Sequence, residues 1–197
     1  MIDGARELFA LDPNVAHLNH GSFGSVAIPV RQERIRLLDE YDANPLRFVT
    51  GDLWDRVAGN RSAAAEFLGA DPELCALVIN ATFGVALALN SLRLQPGDEI
   101  VITDHSYHAV TLAVEDQIKR FGAKVVVTPV DLGAGAAETV AAITDAVTER
   151  TKLVIVDEIS SATAQRHPIA ELSERLRAWV CHCWWMRHTA PGCCRAR

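Results

Sequence analysis

Long apolar runs are absent from this chain: none of its 197 residues falls in a stretch near the roughly 18 residues that cross a bilayer. The opening residues mix acids and prolines and do not read as a signal peptide, so a cytoplasmic protein with no membrane partner is expected. Missing too are a Walker loop and a GxGxxG fingerprint, which disfavours an ATPase or a dinucleotide dehydrogenase. Internal repeats and low-complexity tracts do not occur. Basic charge is scarce: 19 Lys and Arg face 25 Asp and Glu, a net charge of −6. That balance argues against a nucleic acid held by charge. Lysine in particular is found only at Lys119, Lys124 and Lys152.

What is present is unevenly distributed. Four of the five cysteines (Cys181, Cys183, Cys193, Cys194) and three of the four tryptophans (Trp179, Trp184, Trp185) lie in the final segment. No acid follows Glu174, while five arginines do. A break this sharp marks a different module, a tag or an error. The single cysteine in the body, Cys75, implies a reducing compartment and no disulfide scaffold.

From about residue 70 short apolar runs alternate with longer amphipathic ones. LCALVI (74–79), EIVIT (99–103), KVVVTPV (124–130) and KLVIVDEI (152–159) read as buried strands. Helical patterns lie between them at about 83–93, 107–121, 136–149 and 168–178. Gln95-Pro96-Gly97-Asp98 reads as a turn, with proline presetting φ and glycine tolerating a positive one. The rhythm predicts an α/β fold with a mainly parallel sheet and right-handed crossovers. Before residue 70, HLNHGSFGS (17–25) precedes helical patterns at about 29–43 and 53–68, separated by NPLRFVTGD.

Three junctions can carry chemistry. Asn80-Ala81-Thr82-Phe83-Gly84 opens a helix, where unpaired amides and the helix dipole suit a phosphate; it also reads simply as an N-cap. Asp104-His105-Ser106-Tyr107-His108 follows a strand, at the edge where open α/β sheets bind ligands. Its histidines and tyrosine could stack on a flat ring or move protons, or merely be solvated. Asp157 through Thr163 ends a third strand with hydroxyls that could bind a ligand or cap a turn.

Taken in order, HLNHGSFGS, NPLRFV, NATFG, TDHSYHAV and VDEISSATA resemble the class V aminotransferase family of pyridoxal-phosphate enzymes over roughly residues 14–178. The nearest flavour is the isopenicillin-N-epimerase-like branch, similar also to cysteine desulfurases and ergothioneine-type lyases. The resemblance implies a fold-type-I large domain, the cofactor pyridoxal 5'-phosphate, an amino-acid-like substrate and a homodimeric parent. It implies that Ala81, Thr82 and Phe83 hold the cofactor phosphate. It implies that His105, or else Tyr107, stacks on the ring and that Ser161 approaches the ring's phenolic oxygen. Asn19, His20, Gly21 and Ser22 would border the substrate carboxylate. The divisions expected are an N-terminal arm over 1–60, a partial cofactor-binding α/β domain over 61–177 and a tail over 178–197.

Two groups the family requires have no match here: a strand-end aspartate beside the cofactor's ring nitrogen, and the lysine that binds the cofactor covalently. No catalytic residue is therefore assigned, and the chain as written is expected to be inactive. The tail shows no strand pattern. A metal site there would draw on Cys181, His182, Cys183, His188, Cys193 and Cys194, but their spacing fits no standard zinc module and none is expected. The alternative to a truncated enzyme is a non-catalytic half-domain that binds a phosphate ligand or a metal. A tail that docks by burying its tryptophans against a partner is no more expected than a metal site, and a third reading of it comes from the genetic code. Regrouping the codons from Ala178, third base with the next two, is compatible with VGVPLLVDAAHGAGMLP, a strand ending in the missing VDxAH motif. The tail reads as out of frame.

Overall fold

The computed structural model describes residues 4–21, 23–177 and the backbone of 182–186. Two compact units divide the chain, one over residues 1–63 and one from residue 64 onward.

The first unit carries α1 (Ile28–Ala43), α2 (Pro45–Thr50) and most of α3 (Leu53–Phe67). Prolines sit in the first turns of α1 and α2, where no intrahelical donor is lost. Asn44 caps α2 by accepting from the Arg47 amide at 3.0 Å. That short helix was not expected from NPLRFV, whose six residues are too few to show a period. Arg56 joins α3 to α1 through Glu40 (2.8 Å) and also pairs with Asp52 (2.9 Å). Hydrogen bonds from Arg56 and Arg36 hold the Glu40 carboxyl below its ordinary range. These pairs face solvent and add little stability each.

The second unit is a four-stranded sheet in the order β2-β1-β3-β4, every pairing parallel. Its strands are β1 (Glu99–Thr103), β2 (Lys124–Thr128), β3 (Thr151–Asp157) and β4 (His182–Met186). The helices are α4 (Ala81–Ser91), α5 (His108–Phe121), α6 (Ala136–Asp145) and α7 (Ile169–Leu176). Side chains alternate across the strands, so β1 and β3 are buried on both faces. Ile100, Ile102, Leu153 and Ile155 meet α4 and α5 through Val85, Leu89, Val110 and Val114. Val101, Val154 and Val156 meet α6 and α7 through Ile143, Leu172 and Leu176 on the other face. The chain runs from β1 to β2 in one direction and returns past β1 to β3, and right-handed crossovers then place the helices on opposite faces. The α/β fold with a parallel sheet is as the sequence implies.

The turn at residues 95–98 forms as expected. Gly97 has φ 89° and the Asp98 amide donates to the Gln95 carbonyl at 3.0 Å. Two expectations fail. LCALVI (74–79) forms no strand: Pro72–Leu74 is a single turn of 3-10 helix and the rest joins no ladder. Leu77, Val78 and Ile79 are exposed, because no strand of this sheet lies beside them. Conversely the tail, in which no strand pattern was visible, supplies β4. Its backbone pairs with the whole outer edge of β3, from Leu153–His182 to Asp157–Met186. A buried strand needs ladder partners on both sides, and that requirement outweighs side-chain pattern. The rest of 178–197, including the sequence's candidate metal residues Cys181, His188, Cys193 and Cys194, lies outside the described residues. Among the described residues no helix is long and apolar enough to cross a membrane.

The burial contrast makes a stability prediction. Leu89→Ala, at a fully buried position, should cost about 2–5 kcal/mol in urea unfolding. Ile79→Ser, at a position 82% exposed, should shift stability by no more than about 0.5 kcal/mol. A cost for Ile79→Ser comparable to Leu89→Ala would return residues 75–79 to the core.

Candidate functional site

Both helices on one face of the sheet aim their N-termini at the same edge. α4 ends in residues 92–98, which lead into the start of β1, and α5 ends at Gly122 beside that same turn, where the Gly97 amide donates to the Gly122 carbonyl at 2.9 Å. Asn90, near the end of α4, accepts from Arg120 (2.9 Å) and Gln117 (3.3 Å), near the end of α5. The two helices therefore run parallel, C-termini together at the amino edge of the strands. Their N-termini lie at the carboxyl edge, the ligand-binding edge of such sheets.

At the α4 end, Asn80 accepts from the Phe83 amide at 2.8 Å and so caps the helix. Ala81 and Thr82 are exposed, leaving the first amides and the Thr82 hydroxyl open to solvent. Gly84 keeps the turn close to the incoming chain: a Cβ there would lie 3.4 Å from Val78 Cγ2. The turn thus offers backbone donors and a hydroxyl at the positive end of a helix dipole, a donor set that suits a phosphate.

At the α5 end, Tyr107 is the N-cap, 39% exposed. Its amide donates to the Asp157 carboxylate at 3.1 Å. Asp157 ends β3 and is buried, so a carboxylate at the carboxyl end of one strand anchors the helix that follows its neighbour. This contact spans the place where the crossover direction reverses between β1 and β3. Sequence reasoning named Asp157 only as a strand end and gave it no role; an acid closing a valine-rich strand was the available signal.

His105 is held rather than free. Its side chain is 8% exposed. One ring nitrogen, Nε2, lies 2.7 Å from the Val130 carbonyl at the exit of β2, and the other, Nδ1, lies 3.0 Å from Thr163 Oγ1. Asp104 accepts from the Val130 amide at 3.0 Å. Asp104, His105, Ser106, Val130, Asp131, Leu132, Ala162 and Thr163 line an open groove over the ends of β1 and β2. Ser161 is exposed in the turn after β3, next to Ala162 and Thr163. Beneath that turn His167 is buried, its ring 5.9 Å from that of His105, and neither of its nitrogens has a hydrogen-bond partner among the described residues.

The structure therefore gathers Ala81, Thr82, Phe83, His105, Tyr107 and Ser161 at one edge of the second unit. Asn19, His20 and Gly21 belong to the first unit, where His20 packs its ring against Phe9 and His17 and the Phe23 amide donates to Asn19 O at 3.1 Å. Ser22 lies outside the described residues. The lysines sit at the opposite edge. Lys119 is in the last turn of α5, Lys124 opens β2, and Lys152, near the start of β3, is 3.9 Å from Asp98. Among the described residues no group of three or more His, Cys, Asp or Glu could hold a metal ion.

Known proteins resemble this chain over most of its length. The aminotransferase class-V family profile matches residues 30–184. The chain is 33% identical over 178 residues to isopenicillin N epimerase of Amycolatopsis lactamdurans and 31% identical over 175 residues to that of Streptomyces clavuligerus. Each match covers 88% of this chain and 44% of the relative. A solved structure of C-DES, a lysine-to-alanine mutant with glycine covalently linked to its PLP cofactor, superposes with a TM-score of 0.80 at 25% identity. That match takes in 92% of this chain and 48% of C-DES. The chain spans about half the length of the proteins it matches.

The buried His167 sets a pH dependence. Burial, then the neighbouring His105, push its pKa below the ordinary histidine value, with Asp104 opposing them. The unfolded chain takes up a proton near pH ~6.5 that the folded chain resists, so folding stability is full above that pH and falls as pH drops below it. His167→Phe should flatten the fall in urea midpoint between about pH 7 and 5. An unchanged slope would exclude His167 as its source.

Proposed function

This chain belongs to the aminotransferase class-V family, and we propose that it is the N-terminal half of a pyridoxal-phosphate enzyme. The parent would be a cytoplasmic homodimer of the epimerase-like and C–S-lyase-like branch, acting on a small amino-acid-like substrate. The observation that carries this reading is the pair of parallel helix N-termini at the carboxyl edge of the sheet. One offers the open amides of Ala81 and Thr82, and the other the half-exposed ring of Tyr107.

Pyridoxal 5'-phosphate, when bound, supplies a reactive carbonyl and an electron-withdrawing ring. The amides of Ala81 and Thr82 and the Thr82 hydroxyl would take its phosphate, because they are exposed donors at the positive end of α4, while the Phe83 amide is already held by Asn80. Tyr107 offers an aromatic face at the N-terminus of α5. Ser161 offers a hydroxyl from the turn after β3 for the oxygen on the ring. Asn19, His20, Gly21 and Ser22 are proposed to border the substrate carboxylate, in keeping with the family motif.

We propose that the 197-residue chain is catalytically incompetent. Its three lysines stand at the amino edge of the sheet, the end away from the candidate site. The shifted reading of the tail supports a frame change: it sets an aspartate at the junction of codons 185 and 186, where β4 ends opposite Asp157. A one- or two-base correction near codon 178 would then restore VGVPLLVDAAH and open a longer frame.

The test is titration of the purified chain with pyridoxal 5'-phosphate, followed by equilibrium dialysis. Saturable binding that inorganic phosphate competes away is expected, with no turnover of an amino-acid panel. Thr82→Val should weaken binding about 5- to 10-fold, the loss of one hydrogen bond to an anion. Turnover by the 197-residue chain would sink the incompetence claim, and binding indifferent to phosphate and to Thr82→Val would sink the site. Sequencing the locus checks the frame: stops throughout the alternative frame would end that reading.

A further inference from the structure

We propose that His105 is a positioning residue: it sets the turn that carries Ser161, and it is not the ring that lies on the cofactor. The inference rests on the functional reading above only for the meaning of Ser161. The geometry itself stands without it.

With its imidazole neutral, the partners of His105 set its donor and acceptor roles. A carbonyl oxygen can only accept, so Nε2, 2.7 Å from Val130 O, carries the hydrogen. A neutral imidazole has one N–H, so Nδ1 accepts, and its partner at 3.0 Å, the Thr163 hydroxyl, donates. With its proton so used, Thr163 Oγ1 accepts from the Ser160 hydroxyl at 2.5 Å. Ser160 Oγ in turn accepts from the Gln165 amide at 3.0 Å, and the Gln165 carbonyl, at 3.3 Å, is the more distant of the two acceptors open to the Ser160 proton. The chain of bonds runs from Gln165 through Ser160, Thr163 and His105 to Val130, all in one direction. It ties the turn after β3 to the exit of β2 across the end of β1.

That turn needs holding. Ala164 has φ 53°, a left-handed conformation that costs an alanine on the order of 1 kcal/mol. The Ala164 amide donates to Ser160 O at 3.0 Å, the Ser160 amide donates to Gln165 O at 2.9 Å, and Ser160 is buried. Ser161 lies in sequence between Ser160 and Thr163, whose hydroxyls join this chain of bonds, so its backbone is held with theirs. His105, at 8% exposure and with both nitrogens engaged, presents little ring face to a ligand. As whole residues, His105 is half-buried and Tyr107, two positions on, is exposed.

Two aromatic and polar replacements separate positioning from stacking. His105→Gln retains one donor and one acceptor at the end of a flexible arm, whereas His105→Phe retains only a ring. In the ligand-free chain labelled with 15N-histidine, one of the seven histidines should be a fixed Nε2–H tautomer whose signal disappears in His105→Gln. The amide signals of Ser161–Ala164 should move further in His105→Phe than in His105→Gln. Affinity for pyridoxal 5'-phosphate should stay within about 3-fold in His105→Gln and fall about 10-fold in His105→Phe, the cost of roughly one buried donor and acceptor left unmet. If His105→Phe fails to fold, Thr163→Val breaks the same chain with the ring intact and should shift the His105 nitrogens and the Ser161 amide together. An Nδ1–H tautomer, or Thr163→Val leaving both signals in place, would overturn the positioning role. So would affinity kept by Phe and lost by Gln. Absence of cofactor binding by the parent chain would instead count against the functional reading, while the nitrogen and amide signals still decide the role of His105.

Discussion

Burial of β1 and β3 on both faces is the constraint from which the rest of the second unit follows. A parallel strand with no polar face must be covered twice, and the connections that cover it must cross over rather than turn back. Because the chain leaves β1 toward β2 and returns on the other side to β3, its right-handed crossovers load α5 onto one face and α6 and α7 onto the other. The reversal opens a gap between the loops that leave β1 and β3. Asp157 and Tyr107 meet across that gap, and the His105 network borders it on the β2 side.

Parallel strands also sort the polar chemistry of the unit. Every strand ends at the same edge, so every helix that follows one begins there, with its unpaired amides and positive dipole end. Acceptors and anions are favoured at that edge: Asp104, Asp157 and the Asn80 side chain all accept backbone N–H groups there. Cations collect at the other edge, where Lys119 and Arg120 complement the C-terminus of α5 and Lys152 lies beside Asp98. The separation of the lysines from the candidate site is thus a consequence of the fold, not an accident of three positions.

The apolar surface left open has the same origin. Leu77 and Ile79 belong to a segment with the composition of a buried strand, but none of the sheet's strands runs beside it. Val127 on the edge strand β2 is exposed for the same reason. In the first unit α1 and α2 bury no residue fully, and Leu46, Trp54 and Val30 face outward.

Local pattern alone located three strands, read at 99–103, 124–130 and 152–159 and formed at 99–103, 124–128 and 151–157, the helices near them, and the turn at Pro96-Gly97, because each is written in a run of residues whose period or φ preference is decided by neighbours in sequence. The phosphate-suited turn at 81–83 was legible for the same reason: capping and the amides of a first helical turn are local properties. What depended on partners distant in sequence was not legible. LCALVI has a strand's composition yet forms none, since a strand exists only where another offers its ladder. His182–Met186 has no strand's composition yet pairs, since the open edge of β3 does offer one. The site divides the same way. Sequence could nominate both His105 and Tyr107 as ring partners, but only tertiary structure brought Val130 and Thr163 to the two nitrogens of His105 and left the Tyr107 ring half open. No pattern within TDHSYHAV contains that distinction, because the groups that make it come from the exits of β2 and β3.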